Sequence, residues 1–281
     1  MIITNNLGLP QPIVDACKEE YREPVEKRYS VTELLKPVRE IVLTRKFSKE
    51  LTCDVTEMSG ALLGKGLHKV FELLNKEGSA EERIEYTLEN GYTISGIIDL
   101  WDEENLIIID YKTCAVSKVQ KQDFDDWKDQ CLSYAWLKFK KDKIYVDKVK
   151  VIALIKDWSK IRATTDINYP KSPFYIYEVK VTDYELRIIE TKLRFKIDQL
   201  INCENNDLPM CSDAERWFTG NKYAVMKKGA KKAYKLVDTL KEAEIISAEL
   251  DNSIIELRKG NYTKCDFYCP VRKWCYKERE E

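Results

Sequence analysis

The stretch "SGIIDLWDEENLIIIDYKT", Ser95 to Thr113, constrains this chain more than any other. One apolar run ends on an acid, Asp99. The next ends on another, Asp110, and Lys112 follows two positions later. "RIEYTLENGYTISGIIDL" and "NLIIIDYKT" read as strands, with "ENG" as a hairpin turn. An acid at a strand end is ordinarily a turn residue in water, and that reading suits either acid alone. It suits the pair less well. "IIID" reads as a run buried on both faces, where an ionised Asp110 is costly unless a cation offsets it.

Two carboxylates ending neighbouring strands can share a hard cation, Mg²⁺ or Mn²⁺, through oxygen ligands. The two-residue period of a strand puts Asp110 and Lys112 on one face. A lysine there can steady a phosphate, or help orient and deprotonate a metal-bound water. Such a set serves phosphodiester hydrolysis.

The surrounding segments mix helices and strands, as in an α/β fold. "SVTELLKPVREIVL" reads as a helix capped by Ser30 or Thr32 and limited or kinked by Pro37. "VTEMSGALLGKGLHKVFELLNKEG" carries Leu62, Leu63, Leu67, Val70, Phe71, Leu73 and Leu74 at helical spacing and ends near Gly78. "DFDDWKDQCLSYAWLKFKK" is helical, and "VDKVKVIALIKDW" and "FYIYEVKVT" are strands. "DYELRIIETKLRFKIDQLINC" is a long amphipathic helix with Phe195 on its apolar stripe. A polar stretch follows, then a basic strand-like segment "KYAVMKKGAKKAYKLV", a helix near "TLKEAEIISAEL" and a cysteine-rich tail. The expected organisation is an arm over 1–29, a core over 30–202, and a basic, cysteine-bearing region over 203–281 packed on the core.

At this point the motifs can be set side by side. Asp99, then ten residues, then Asp110-Tyr111-Lys112 resembles the core of the PD-(D/E)XK nuclease superfamily, and more narrowly its RecB-like branch. "GKGLHKVFE", holding His68, the one histidine in the chain, resembles that branch's upstream helix motif, in which a histidine reaches the metal. Glu72, one turn on, is placed to orient the imidazole. "DQCLSYAWL", with Gln130 and Tyr134 four apart, resembles the Q-x-x-x-Y helix that faces the active site and DNA backbone. The four pieces stand in the family's order. The resemblance implies a restriction-endonuclease-like core, a central mixed β-sheet flanked by helices. It implies His68, Asp99, Asp110 and the Tyr111 carbonyl around Mg²⁺ or Mn²⁺. Lys112 would position the attacking water, and Gln130 and Tyr134 would orient the scissile phosphate. A glutamate near the first hairpin strand, Glu81, Glu82 or Glu85, could reach a second metal.

Nine cysteines in a chain without a recognisable secretory signal call for a reading other than disulfides, and a cytoplasmic location, in a bacterium or phage-infected host, is expected. Three cluster in "KCDFYCPVRKWC": Cys265, Cys269 and Cys275. A fourth thiolate must come from elsewhere. Cys211, in a loop-like stretch near Pro209, is the first choice, with Cys17, Cys53, Cys114, Cys131 and Cys203 as alternatives. Several RecB-like nucleases, the CRISPR-associated and AddB-type enzymes among them, hold a 4Fe–4S cluster on one distant cysteine and three near the C-terminus. This chain resembles that layout, although Cys211 follows the core rather than preceding it and the tail spacing is C-x₃-C-x₅-C. Zn²⁺ is the alternative.

Apolar residues are 44% and charged residues 34% of the 281, at a net charge of −1, so a sizeable core and a highly charged surface are both available. No apolar run reaches membrane-spanning length, and no membrane association is expected. Two lysine runs stand out, Lys138 to Lys150 and Lys222 to Lys235. In the second, Lys222, Lys227, Lys228, Lys231 and Lys232 are interleaved with Tyr223 and Tyr234, which suits DNA backbone contacts and base stacking. Trp158 and Trp217 are further stacking candidates. Beside a phage-type exonuclease, a structure-specific endonuclease and a non-catalytic nucleic-acid-binding module remain as alternatives, with a zinc-stabilised interaction protein behind them. A phage single-strand annealing protein is a plausible partner by the same resemblance. The sequence leaves the oligomeric state open.

Overall fold

A computed structural model describes residues 1–18, 23–74, 79–203 and 208–277. The chain divides into two units, Met1–Asp207 and Leu208–Glu281.

The first unit begins with β1 (Ile2–Thr4) and α1 (Gln11–Lys18). Then come β2 (Arg28–Ser30), α2 (Val31–Leu34) and α3 (Val38–Lys46). The helix expected over 30–43 is two helices. Ser30 caps the first, its hydroxyl accepting from Glu33 N–H at 3.1 Å, and Pro37, which has no N–H and restricts the residue before it, starts the second. After β3 (Thr52–Asp54) comes a 3₁₀ turn and α4 (Ser59–Leu74).

β3 pairs in parallel with β1, and Asp54 fastens the join. Its two oxygens accept from Thr4 Oγ1 (2.8 Å), Asn6 N (2.9 Å), Thr56 Oγ1 (2.7 Å) and Thr56 N (3.1 Å). The Asn6 amide and the other donors hold its carboxyl down to about 2, from 3.8. A carboxyl depressed in the folded state stabilises above its unfolded pKa and loses that contribution as the pH falls. Amide exchange at residues 2–6 should therefore accelerate as the pH drops from 3.8 toward 2, beyond the intrinsic rate, and should be fast at neutral pH in Asp54→Ala. Protection unaffected by the substitution would mean that something else holds the arm.

The central sheet follows: β4 (Ser79–Thr87), β5 (Thr93–Asp102), β6 (Ile107–Cys114), α5 (Val116–Lys121), α6 (Asp125–Asp142), β7 (Lys148–Ile155), α7 (Lys160–Thr165), β8 (Phe174–Lys180) and α8 (Asp183–Cys203). Its order is β2-β5-β6-β7-β8, with β4 on β5. β4–β5, β5–β6 and β7–β8 are antiparallel, while β2–β5 and β6–β7 are parallel. This is the expected mixed sheet. Gly91, at φ +81, takes the left-handed position of the turn after β4.

α6 supplies much of the core. Trp127, Cys131, Leu132, Tyr134, Ala135, Trp136 and Leu137 are all buried, and the helix packs on β4, β5, β7 and α8. Each fully buried large apolar side chain there contributes about 1.5–3 kcal/mol. Phe124 stacks between Trp127 and Tyr175, closing the end of this layer.

Four readings of the first unit are corrected. β6 alternates between more and less buried positions rather than being buried on both faces; Ile108 and Asp110 face inward and Tyr111 outward. The apolar stripe of α4 is not core: Leu63, Val70, Leu73 and Leu74 are exposed, the last two at 73% and 71%. Phe195 is exposed on α8, while Leu186, Ile189, Leu193, Ile197 and Leu200 carry that helix's contact. The lysine run 138–150 is largely neutralised within the protein. Lys138 is buried between Glu82 and Asp142 beneath Trp101, Lys140 pairs with Glu190, and Lys148 and Lys150 pair with Glu178. Gly78 lies outside the described residues.

In the second unit, β9 (Lys222–Lys227) pairs antiparallel with β10 (Lys235–Val237) and β11 (Ser253–Arg258), and α9 (Leu240–Ala248) packs on all three. The segment read as one basic strand is thus a hairpin, and β11 was not expected. Thr239 and Glu242 form a capping box at the start of α9. A π turn over Lys264–Tyr268 and α10 (Arg272–Lys277) end the described chain.

Candidate active site

The β5–β6 ladder runs from Asp102↔Ile107 to Leu100↔Ile109 and stops. Asp99 and Asp110 are the next residue on each strand. Beyond the ladder a side chain replaces the backbone partner: Asp99 Oδ2 accepts the Tyr111 N–H at 2.8 Å. β6 stays in register with β7 through Cys114, so its far edge holds it rigid.

On the outward side of β6, the Tyr111 ring packs on Phe71 of α4 at 4.5 Å between centroids. That contact brings α4 and His68 to the strand. His68 Nε2 lies 2.6 Å from the Tyr111 carbonyl oxygen and Nδ1 lies 3.4 Å from Asp99 Oδ1. The neighbouring Asp99 carboxylate raises the imidazole pKa against the opposing pull of burial.

On the inward side, Asp110 is 1% exposed. Lys112 Nζ lies 2.7 Å from its Oδ2, as the strand period predicts. Burial pushes the Asp110 carboxyl up, with the Lys112 charge partly offsetting it. Burial also works against the Lys112 ammonium, but the adjacent carboxylate outweighs it and its pKa is raised. Gln130 of α6 donates to Asp110 Oδ1 at 3.3 Å and to the Tyr134 hydroxyl at 2.8 Å. Burial, then Asp110, drives the Tyr134 phenol well above its usual range, so the hydroxyl stays protonated.

Tyr134 reaches this place because β5 carries a glycine. A Cβ at Gly96 would stand 2.7 Å from the Tyr134 ring. Sequence reasoning did not assign Gly96 a role, although a glycine inside a strand is itself a signal of close approach. Gly96→Ala should displace the ring, break the Gln130–Tyr134 link, and cost about 1–3 kcal/mol by overpacking. The melting temperature should fall accordingly. An unchanged melting temperature would show that the ring has room to move.

The structure thus brings His68, Asp99, Asp110, Tyr111, Lys112, Gln130 and Tyr134 into one site. Of the glutamates left open, Glu82 pairs with Lys138 and Glu85 with Arg28, which turns both away from it. The side chains of Glu81 and Glu72 lie outside the described residues. The donors at the strand ends are two carboxylates, a carbonyl and an imidazole, a set that suits a hard divalent cation. Asp110 Oδ2, ion-paired with Lys112, has no aligned hydrogen-bond donor and keeps a lone pair for such an ion. Among the described residues, no three His, Cys, Asp or Glu side chains alone form a cage around one point; here the Tyr111 carbonyl stands among them.

A second constellation lies in Leu208–Glu281. The Cys211 thiol is pushed up to about 11 by burial, by Glu215, and by Cys275, Cys265 and Cys269. The other three half-buried thiols are thus close enough to Cys211 to act on its charge. Cys265 sits in the π turn, which brings it beside Arg216. Cys17, Cys53, Cys114, Cys131 and Cys203 belong to the first unit; Cys203 is half-buried at the end of α8.

The basic hairpin presents Lys227, Lys228, Lys231 and Lys232 at and beside its exposed tip, where Gly229 takes φ +84. Lys222 is instead paired with Asp238. Tyr234 is exposed and Tyr223 half-buried. Trp217 is exposed beside Tyr268, and Trp158 is tied by its indole N–H to the Pro170 carbonyl at 2.9 Å.

A family model for the PD-(D/E)XK nuclease superfamily matches residues 13–276. Among solved structures, that of SSO0001 is similar in fold at a TM-score of 0.51 and 18% identity, over 73% of this chain and 89% of that one. Two others are more distant. A phage related exonuclease from Haemophilus somnus 129PT has a TM-score of 0.30 at 16% identity, over 59% of this chain and 74% of its own. An alkaline exonuclease from Laribacter hongkongensis has a TM-score of 0.36 at 8% identity, over 63% and 89%. No curated protein sequence matches significantly.

Proposed function

The chain belongs to the PD-(D/E)XK nuclease superfamily, and from that premise we propose that it is a metal-dependent DNA nuclease that digests linear DNA from an end, in phage-type recombination or repair. One observation carries the reading: β5 and β6 part at Leu100–Ile109 and present Asp99, Asp110 and Lys112 at the opening. The preference for ends rests on the likeness of the segment "DAERWFTGNKYAVMKKGAKKAYKLV" to phage-encoded nucleases of this kind, not on the motifs of the site.

In this reading Asp99, Asp110, His68 and the Tyr111 carbonyl hold Mg²⁺ or Mn²⁺. Such an ion polarises a phosphoryl oxygen and lowers the pKa of water. The remaining work falls to the chain. Asp99 fixes the Tyr111 amide and with it the direction of that residue's carbonyl. The Lys112 ammonium meets negative charge developing on the phosphate and positions the water. Gln130, held by Tyr134, keeps the Asp110 carboxylate in its rotamer. Water adds to phosphorus as one P–O ester bond breaks, and a proton passes to the departing sugar oxygen.

The hairpin tip supplies sequence-independent phosphate contacts. Reversing charge at Lys227, Lys228, Lys231 and Lys232 should weaken DNA binding and flatten its dependence on log salt, since each lost contact removes about 0.9 from the slope. An unaltered slope would make the tip a solvated surface. Cys211, Cys265, Cys269 and Cys275 bind a 4Fe–4S cluster, with Zn²⁺ as the alternative, and this thiolate-only set suits either. No helix among the described residues is long and apolar enough to cross a membrane, and the protein acts in the cytoplasm, a single-strand annealing protein being a fitting partner.

The test is anaerobically purified protein with end-labelled linear DNA, beside the same sequence as a closed circle, in Mg²⁺ or Mn²⁺. Digestion of the linear form alone is expected. Cutting of the circle would move the assignment to an endonuclease, and no cutting of either to a binding module.

A further inference from the structure

One edge of β5 is covered by β4 from Thr93 to Trp101. The other edge is shared. β2 takes it only from Thr93 to Ser95, and β6 only from Leu100 to Asp102. Positions 96–99 fall between the two. Asp99 stands at the β6 end of this gap. At the β2 end opens a cavity of about 660 Å³, with Ser95, Gly96 and Ile97 in its wall. At about 3.3 Å per strand residue, Ile97 and Asp99 are only some 7 Å apart along β5.

Tyr134 lines the same cavity. Its hydroxyl is linked to Asp110 by two hydrogen bonds through Gln130, of 2.8 and 3.3 Å. The hydroxyl of this lining residue and the carboxylate are therefore separated by less than two base-step rises of about 3.4 Å. A ligand in the cavity would lie one or two nucleotides from a phosphate held at Asp110.

The lining matches a nucleotide. Four cations, Arg28, Lys36, Arg45 and Arg83, face two acids, Glu23 and Glu33. Arg45 is committed to Glu33 through two hydrogen bonds, and Arg28 pairs with Glu85. Lys36 and Arg83 are exposed and have no ion-pair partner among the described residues. Val31, Ile41, Ile97 and the Tyr134 ring give an apolar wall for a base and sugar. The volume lies within the range of about 300–1,000 Å³ typical of small-ligand sites.

We propose that this cavity is a nucleotide subsite, in which Arg83 and Lys36 bind the phosphate and the apolar wall takes the base of a nucleotide one or two steps from the cut. The inference rests on the nuclease reading above and assigns the cavity to the same strand. It makes Arg83 and Lys36 positioning residues, since neither touches the scissile bond.

A nucleoside monophosphate carries the chemistry of a strand's terminal nucleotide, so it serves as probe. The full-length protein in EDTA is titrated with thymidine 5′-monophosphate, thymidine 3′-monophosphate and thymidine, followed by NMR. At least one monophosphate should bind about tenfold or more tightly than thymidine. Arg83→Glu and Lys36→Glu should each weaken it by about tenfold, or roughly 1.4 kcal/mol. The same variants should raise KM for linear DNA more than they lower kcat. Both positions are exposed, and circular dichroism checks that each variant folds; either one suffices. No binding, equal binding of thymidine, or unchanged affinity in folded variants would overturn the subsite. Wild-type cleavage of linear DNA alongside such a result would sink the subsite and spare the nuclease reading. Monophosphate binding lost in the variants, by a protein that cuts no DNA, would uphold a nucleotide site and sink the nuclease reading instead.

Discussion

Asp110→Asn will cut the rate of linear-DNA digestion about 10³-fold or more while DNA binding changes little. The substitution keeps the shape of a side chain that is buried to 1% exposure and removes only its charge. That charge has three uses in the structure. It pairs with Lys112 at 2.7 Å, accepts from Gln130 at 3.3 Å, and leaves a lone pair on Oδ2 without an aligned donor. An amide can still accept from Gln130, so the helix–strand contact survives. It cannot neutralise a divalent cation as a carboxylate does, and it leaves the Lys112 ammonium without its counter-charge. DNA affinity comes chiefly from phosphate contacts elsewhere and is expected within about threefold of wild type at fixed salt. Single-turnover cleavage and a parallel binding titration separate the two quantities. Full activity in the variant would remove Asp110 from the site, and equal loss of binding and cleavage would recast it as a binding residue.

How far this site could be read in advance follows from the range of the signals. Asp110 and Lys112 are two apart on one strand, and a period of two needs no tertiary knowledge. Gln130 and Tyr134 are likewise one helical turn apart. The meeting of these pairs was legible only through the resemblance of their order to a known family, since periodicity cannot say which helix lies over which strand. Gly96 shows the limit: its reason for being glycine is a tyrosine thirty-eight positions later, across the sheet. The leucines of α4 mislead in the opposite way. Their spacing is that of a core helix, yet the helix touches the sheet mainly through Phe71 and His68 and leaves Leu73 and Leu74 in solvent. The lysine run 138–150 misleads by composition: apart from Asp142, the acids that pair with it, Glu82, Glu178 and Glu190, lie far off in sequence and close in space. β11 escaped notice because "SIIELR" is short and joins the sheet by pairing with β9, thirty residues upstream.

If the four cysteines hold a metal as proposed, Cys275→Ser will remove it and unfold the second unit while the first stays folded. That unit has a small core. Among its described residues, the buried hydrophobics are Ala224, Val225, Met226, Ala243 and Val271. Below about 70–80 residues a single core rarely supplies more than about 3–5 kcal/mol, and small natural domains add staples. Leu208–Glu281 falls in that range and, among its described residues, has three short strands and two α-helices of three turns or fewer. Cys211 is the first sulfur, and Cys265, Cys269 and Cys275 follow more than fifty residues later, so a metal on all four closes a long loop. Structural zinc sites contribute about 10–16 kcal/mol of apparent binding energy that is also folding energy. Losing one of four thiolates should therefore exceed what the unit's own core provides. Iron, sulfide and zinc analysis reads the metal, and hydrogen exchange resolved by unit reads the folding. Exchange in β9–β11 should approach that of an unfolded chain, and β5–β7 should keep their protection. Cys203→Ser, at the end of α8 in the first unit, is the control and should retain the metal. Full metal content and unchanged protection in Cys275→Ser would mean that the four thiols are neighbours without a shared ligand, and that the hairpin and α9 hold this unit unaided.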